Sequence, residues 1–195
     1  LYKTVGKGTR LLAERFPGES LLIVGPLGKP FRLPQSGHVY LVGGGVGMPP
    51  IRFCATRMPR ERVTVVQGAR SSDFLLYRDE LAALEVEHLI ATEDGSIGVP
   101  GLVTDLLERL LAESSRPSEV LACGPTPMLR AVAAVARAYS IPCQVSLEEH
   151  MACGIGICMG CAVRNAKSSE PDYSLVCVDG PVFDADDVFT SGLPK

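Results

Sequence analysis

The chain has 195 residues, 46% of them apolar and 21% charged, with a formal net charge of −3. That is enough for one medium domain or two small ones and gives no reason to expect disorder. The basic residues are scattered, so nothing tracks a nucleic-acid backbone or an anionic membrane, and no apolar run reaches the ~20 residues of a bilayer-spanning helix.

Residues 1 to about 32 are strand-like and punctuated by glycine and proline. "LYKTVG" and "LLIV" read as strands, and "RFPGES" and "GPLGKP" read as turns. The chain starts at Leu1, inside the first of these strands, so a cut or processed amino end, with some domain missing ahead of it, is expected. No basic, apolar, small-residue leader opens it, and the expected location is cytoplasmic.

From about 36 to 148, β-branched runs alternate with helical patterns. The runs are "HVYLVG", "RVTVVQG", "EVEHLIAT", "EVLACG" and "IPCQVSL". The helical segments are Met48–Arg57, Phe74–Leu84, Val103–Ala112 and Pro127–Tyr139. In the last, Met128, Leu129, Val132, Val135 and Ala136 recur at three- and four-residue spacing, a single buried stripe. Alternation of this kind predicts βαβ crossovers and a doubly wound parallel sheet, so the fold class is α/β. Residues 149–195 are short of helix signal and rich in Gly, Cys and Asp, which predicts a small appended module.

Seven cysteines and no export signal argue against a disulfide framework. Cys54, Cys123 and Cys143 stand singly in apolar surroundings and read as small buried hydrophobes. The others are concentrated. "MACGIGICMGC" places Cys153, Cys158 and Cys161 at C-x4-C-x2-C spacing, and Cys177 follows in "SLVCVDG". This is the plant-type [2Fe–2S] ligand pattern: a tight loop points three thiolates inward and a distant fourth closes the site. The intervening glycines let backbone N–H groups approach the sulfurs, which would tune a bound cluster. A structural zinc site is the alternative, although zinc modules usually present two short chelating pairs or include histidine. His150 flanks the loop.

Two glycine turns follow strands. "HVYLVGGGVGMPPI" carries Gly43, Gly44, Gly45 and Gly47, then Met48 and a proline pair where a helix begins. The spacing fails the G-x-G-x-x-G test, and the next strand does not end in an acid, with Arg70 and Asp73 nearby. By itself such a turn is an ordinary structural joint. "EVLACGPTPM" supplies a second turn, with Gly124, Pro125 and Met128. In a doubly wound sheet ligands sit at the carboxyl ends of the strands, so the two turns together predict a nucleotide crevice. No Ser/His/Asp or Cys/His constellation suggests a catalytic side chain.

"LVGGGVGMPPI" and "CGPTPML" resemble the nicotinamide-binding half of the ferredoxin–NADP reductase superfamily. Within it, "SLEEHMACGIGICMGCAVRN" followed by "VCVDGPVFDADDV" is similar to the electron-transfer subunits of dihydroorotate dehydrogenase B. The resemblance covers essentially the whole chain. It implies the end of a β-barrel FAD domain over 1–32, an NAD-binding α/β domain over 33–148 and a [2Fe–2S] module over 149–195. Leu1, Tyr2 and Lys3 match a stretch lining the flavin, and Gly8 and Thr9 match the pair at its pyrophosphate. Taken alone, Gly6 to Thr9 is a hairpin or helix-entry turn. The family's arginine-containing FAD motif has no counterpart here.

The resemblance further implies an FMN-containing catalytic subunit as partner, in an assembly of two of each, with electrons passing through the cluster and FAD to NAD⁺. Reductase subunits serving sulfite reductase or ferredoxin-linked transhydrogenation are the alternatives, as is a non-enzymatic metal-binding module.

Overall fold

The computed structural model describes residues 1–114, 118–170 and 172–189. One seven-stranded sheet organises them. Its strands are β1 (His38–Gly44), β2 (Val63–Ala69), β3 (Glu87–Thr92), β4 (Val99–Pro100), β5 (Ser118–Cys123), β6 (Cys143–Ser146) and, far along the chain, β9 (Val182–Asp184). The spatial order is β4-β3-β2-β1-β5-β6-β9, parallel throughout except that β9 runs antiparallel to β6. A two-stranded ribbon of β7 (Ala162–Arg164) and β8 (Tyr173–Leu175) lies apart.

The sequence explains the layering. β1 is buried along its whole length, as a central parallel strand covered on both faces must be. Alternate residues go to opposite faces. Tyr40 and Val42 join the core under α4 (Val103–Glu113) and α5 (Thr126–Ala138). Val39 and Leu41 join the core under α2 (Met48–Ala55) and α3 (Arg78–Ala83). Both crossover faces are therefore sealed. Among the described residues no helix is long and apolar enough to cross a membrane.

Two expectations are corrected. The strands read in "LYKTVG" and "LLIV" do not form. Residues 1–6 lead irregularly into a short helix, α1 (Lys7–Ala13), and Leu21–Val24 are exposed, with Leu22 fully open to solvent. A strand requires a neighbour to take its N–H and C=O groups, and among the described residues none pairs with this stretch. The helix expected over Phe74–Leu84 is cut to Arg78–Ala83. The buried Gln67 amide donates to the Leu76 carbonyl at 3.1 Å, and its oxygen faces His88 Nε2 at 3.0 Å. Ser72–Phe74 instead forms a 3₁₀ turn, Leu75 is extended, and Tyr77 enters α3 with φ 60°, so the α-helix begins only at Arg78.

Gln144 fastens the amino-terminal segment to the sheet. Its Oε1 accepts the Arg32 N–H at 3.0 Å and its Nε2 donates to the Arg32 carbonyl at 2.8 Å, with Glu119 Oε1 as a further acceptor at 2.6 Å. Arg62 holds the following residues through the carbonyls of Pro34, Gln35 and Gly37. Gln144→Leu strands both backbone groups of Arg32, and the expected cost is about 1–3 kcal/mol. Denaturant unfolding measures it, together with loss of hydrogen-exchange protection at the Arg32 amide. Unchanged protection there would show that the clamp is dispensable.

Candidate functional site: a cysteine loop beside a glycine-lined crevice

The parallel strands present their carboxyl ends on one edge, and β1 is the strand from which the chain departs to both sides. The crevice outside β1 and β5 is thus the topological switch point of the sheet. Both glycine turns lie there. After β1 the chain makes a 3₁₀ turn, Gly45–Gly47, and enters α2 with prolines in its first turn. After β5, Gly124 and Pro125 lead into α5.

The structure divides the predicted dinucleotide residues into two groups. A β-carbon on Gly47 would lie 2.2 Å from the Cys123 carbonyl oxygen, so the two turns touch backbone to backbone. Gly44 and Gly124 are crowded by the Met128 side chain, and Gly43 by Met48 and Ile51. Gly45 differs, because it has φ +53° and a β-carbon there would meet nothing within 4 Å. The backbone of Gly45 is open to an approaching ligand. Met48 opens α2 with its side chain fully buried and its sulfur against Gly43. Met128 is half-buried between the turns.

The amino-terminal residues matched to a flavin site lie in and before α1. Leu1 and Tyr2 are exposed, and Lys3 is too. Gly8 is helical. The Thr9 hydroxyl accepts the N–H groups of Val5 at 2.9 Å and Gly6 at 3.0 Å, which is the work of a helix-entry turn.

The cysteine loop leaves the sheet at the carboxyl end of β6, on the same edge as the glycine turns. Cys123 pairs with Ser146 in the β5–β6 register, and Leu147 N–H then bonds the Pro181 carbonyl at 2.8 Å. The four predicted cysteines are linked two by two through backbone N–H groups. The Cys158 N–H donates to Cys153 Sγ at 3.4 Å, and the Cys177 N–H donates to Cys161 Sγ at 3.4 Å. The Gly160 N–H reaches Cys158 Sγ at 3.5 Å. Cys161 and Cys177 are buried in the same core as Val120 and Val145, while Cys158 is exposed.

These contacts set the acidity of the thiols. N–H groups of Cys158, Ile155 and Ile157 converge on Cys153 and draw its pKa down to about 6. Cys177 is pushed up, first by its bond to the Cys161 sulfur and then by burial. The three solitary cysteines behave as core residues. Burial raises Cys54 to about 11 and Cys143 to about 12, and raises Cys123 as well.

The donor set suits an iron–sulfur centre. It is all thiol, backbone N–H groups point at the sulfurs, and the pairs match the two thiolates that each iron of a binuclear cluster takes. A structural zinc site would usually present two short chelating pairs or include histidine, a pattern this loop does not show. Sequence reasoning missed Gln144, whose signal was a lone amide inside the apolar run "IPCQVSL".

In the metal-free, reduced chain Cys153 should be the cysteine that iodoacetamide alkylates at the lowest pH, with a midpoint near 6, since the thiolate is the nucleophile and is the main form above that pKa. Mass-spectrometric mapping across pH 5–9 reads this, and modification at Cys177 before Cys153 would contradict it. In the crevice, Gly47→Ala should destabilise the fold by about 1–3 kcal/mol through collision with the Cys123 backbone. Gly45→Ala should cost only the left-handed strain of about 1–2 kcal/mol and leave the core intact. Denaturant midpoints together with near-ultraviolet circular dichroism test the contrast, and a disturbed core in Gly45→Ala would refute it.

Comparison with known proteins agrees with this layout. Residues 148–189 match the family model described as the iron–sulfur cluster binding domain of dihydroorotate dehydrogenase B. Residues 41–134 match the oxidoreductase NAD-binding domain. The electron transfer subunit of dihydroorotate dehydrogenase B (NAD(+)) from Bacillus caldolyticus is 43% identical over 193 residues, covering 96% of this chain and 72% of that protein. The corresponding subunit of Caldanaerobacter subterraneus subsp. tengcongensis is 38% identical over 188 residues, with 96% and 74% covered. Among solved structures, the NADH-dependent reduced ferredoxin-NADP oxidoreductase superposes with a TM-score of 0.81 at 35% identity, over 96% of this chain and 67% of that one. The chain belongs to the electron transfer subunits of NAD(+)-dependent dihydroorotate dehydrogenase B.

Proposed function

We propose that this chain relays electrons from a catalytic subunit, which oxidises dihydroorotate to orotate on FMN, to NAD⁺ through a [2Fe–2S] centre and FAD, in an assembly of two of each subunit. The observation that carries the reading is that the cysteine loop and the glycine-lined crevice leave one edge of one sheet, from β6 and from the neighbouring β5 and β1. A [2Fe–2S] centre supplies single-electron transfer, and FAD supplies exchange between single electrons and a hydride.

The residues of this chain bind and position. Cys153 and Cys158 would hold one iron, and Cys161 and Cys177 the other. Gly45 leaves room for a pyrophosphate at the amino end of α2, where the helix terminus favours its charge. Gly43, Gly44, Gly47, Gly124 and Met128 fix the shape of that floor, and Pro125 starts α5. Leu1, Tyr2, Lys3, Gly8 and Thr9 would contribute the flavin contacts of this segment. The side facing the partner is the rim of the loop, where Ile155, Ile157 and Met159 stand exposed around Cys158. No acid, base or nucleophile from this chain is required.

Anaerobically purified protein should contain two irons and two acid-labile sulfides per chain, with the visible absorption of a [2Fe–2S] centre. Cys158→Ser should lose both while NADH binding persists. NADH formation from dihydroorotate should require both this chain and the FMN subunit. Zinc without labile sulfide would overturn the cluster assignment, and turnover with sulfite or ferredoxin instead of dihydroorotate would overturn the partner.

A further inference from the structure

One turn of the amino-terminal segment, over residues 25–29, reaches the cysteine module. Residues 21–24, just before it, lie exposed, and Arg32, just after it, is clamped by Gln144. Between them the backbone docks. A β-carbon on Gly28, which has φ +71°, would strike the Gly180 carbonyl, and the Lys29 N–H donates to that same oxygen. Lys29 also forms a β-bridge with Pro181, and its ammonium lies 4.0 Å from Asp179 Oδ1. Asp179 in turn accepts the Leu175 N–H at 2.8 Å, so the turn is fastened to the bend that carries Cys177.

The tip of the turn touches the other cysteine-bearing stretch. Gly154 follows Cys153 with φ +72°, and the space beside it is taken by Leu27, whose Cδ1 would stand 3.4 Å from a β-carbon on Gly154. The peptide beneath leads to Ile155, one of the N–H groups aimed at the Cys153 sulfur. Gly156 of the same loop packs on Val178, where a β-carbon would lie 2.8 Å from Cγ2. Three stretches therefore meet: the loop of Cys153, Cys158 and Cys161, the bend of Cys177, and a turn from the other end of the chain. Leu27 is 48% exposed, so one flank of its side chain rests on the loop and the other faces water.

We infer that Leu27, held by the 25–29 turn, covers the Cys153 end of the four-sulfur site, and that this cover keeps down the potential of a bound [2Fe–2S] centre and slows its attack by oxygen. The inference rests on the cluster reading given above and gives a role to a residue outside the cysteine module. Reduction adds negative charge to a site already negative from its thiolates. Water or an N–H donor nearby stabilises that added charge and raises the potential, and an apolar wall keeps both away. Leu27 acts through the Gly154 backbone and is a positioning residue.

The test is a redox titration of the chain loaded anaerobically with iron and sulfide, followed by visible absorption, together with the lifetime of that absorption in air. Leu27→Ala should raise the potential and shorten the lifetime several-fold. Leu27→Asn and Leu27→Asp have nearly the same shape and should part. The amide raises the potential, and the carboxylate sets it below that of Leu27→Asn at low salt, by a gap that narrows as salt rises. Lost packing alone would move the two together. Leu27→Met should keep the wild-type values. Gly28→Ala, which displaces the turn and leaves Leu27 in place chemically, should behave as Leu27→Ala does. The assignment is overturned if Leu27→Ala keeps the wild-type potential and lifetime at unchanged iron and sulfide content, or if Leu27→Asn and Leu27→Asp have equal potentials. If the wild type takes up no labile sulfide, the cluster reading itself falls and this assignment falls with it.

Discussion

The pairing of β9 with β6 is the contact on which the rest of the arrangement depends. It is a short antiparallel ladder, Gln144 opposite Asp184, Val145 opposite Phe183 and Ser146 opposite Val182, added to the edge of a parallel sheet. Through it Val176, Cys161, Cys177 and Phe183 enter the same core as Val120, Leu129 and Val145. Ion pairs also cross this seam, from Arg32 to Asp184, Arg137 to Asp186 and Lys167 to Asp187. Each lies at the surface, where water and salt screen it, and adds little. Burying Val176, Phe183 and Phe189 contributes about 1.5–3 kcal/mol apiece. Apolar strand addition, more than charge, fixes the cysteine loop against the nucleotide domain.

The same edge of the sheet imposes a second constraint. Two loops must turn at the ends of adjacent strands, and each must feed a helix whose amino end faces the crevice. The close approach of Gly47 to the Cys123 carbonyl makes the two turns one continuous floor. A β-carbon would strike backbone at Gly47 and the Met48, Ile51 or Met128 side chains at Gly43, Gly44 and Gly124, so these glycines serve the fold before they serve a ligand. Gly45 is the exception, since its surroundings are open and its φ is positive. A glycine-rich motif read as a unit in the sequence thus splits into packing positions and one position that faces solvent.

How much of this was legible beforehand depended on whether the signal was local. The five long parallel strands, α2, α4 and α5 were readable within a few residues because hydrophobic period and turn chemistry agreed. The four cysteines were readable because ligand spacing is local for three of them. Three features were not readable. Leu21–Val24 has the composition of a strand, but strand formation depends on a partner. Phe74–Tyr77 carries a helical pattern that is interrupted by extended Leu75 and left-handed Tyr77, with the Leu76 carbonyl taken by Gln67 of β2. β9 is three residues of an otherwise irregular tail, and its place beside β6 is a property of the sheet edge, with no periodicity to announce it.

The geometry of the cysteine loop accounts for its unusual surface. A loop that turns its N–H groups inward, as those of Ile155, Ile157, Cys158 and Gly160 turn toward sulfur, sends its own apolar side chains outward. Ile155, Ile157 and Met159 are accordingly 50%, 76% and 57% exposed, a proportion that a packed core would not tolerate. Polar side chains on that rim would compete for the same N–H donors. Apolar ones cannot, so the residues that leave the sulfurs well hydrogen-bonded are also those that leave a bare apolar collar around Cys158. The buried pair, Cys161 and Cys177, faces the sheet instead. One side of the four-sulfur site is thereby joined to the nucleotide domain and the other is turned toward whatever approaches from outside.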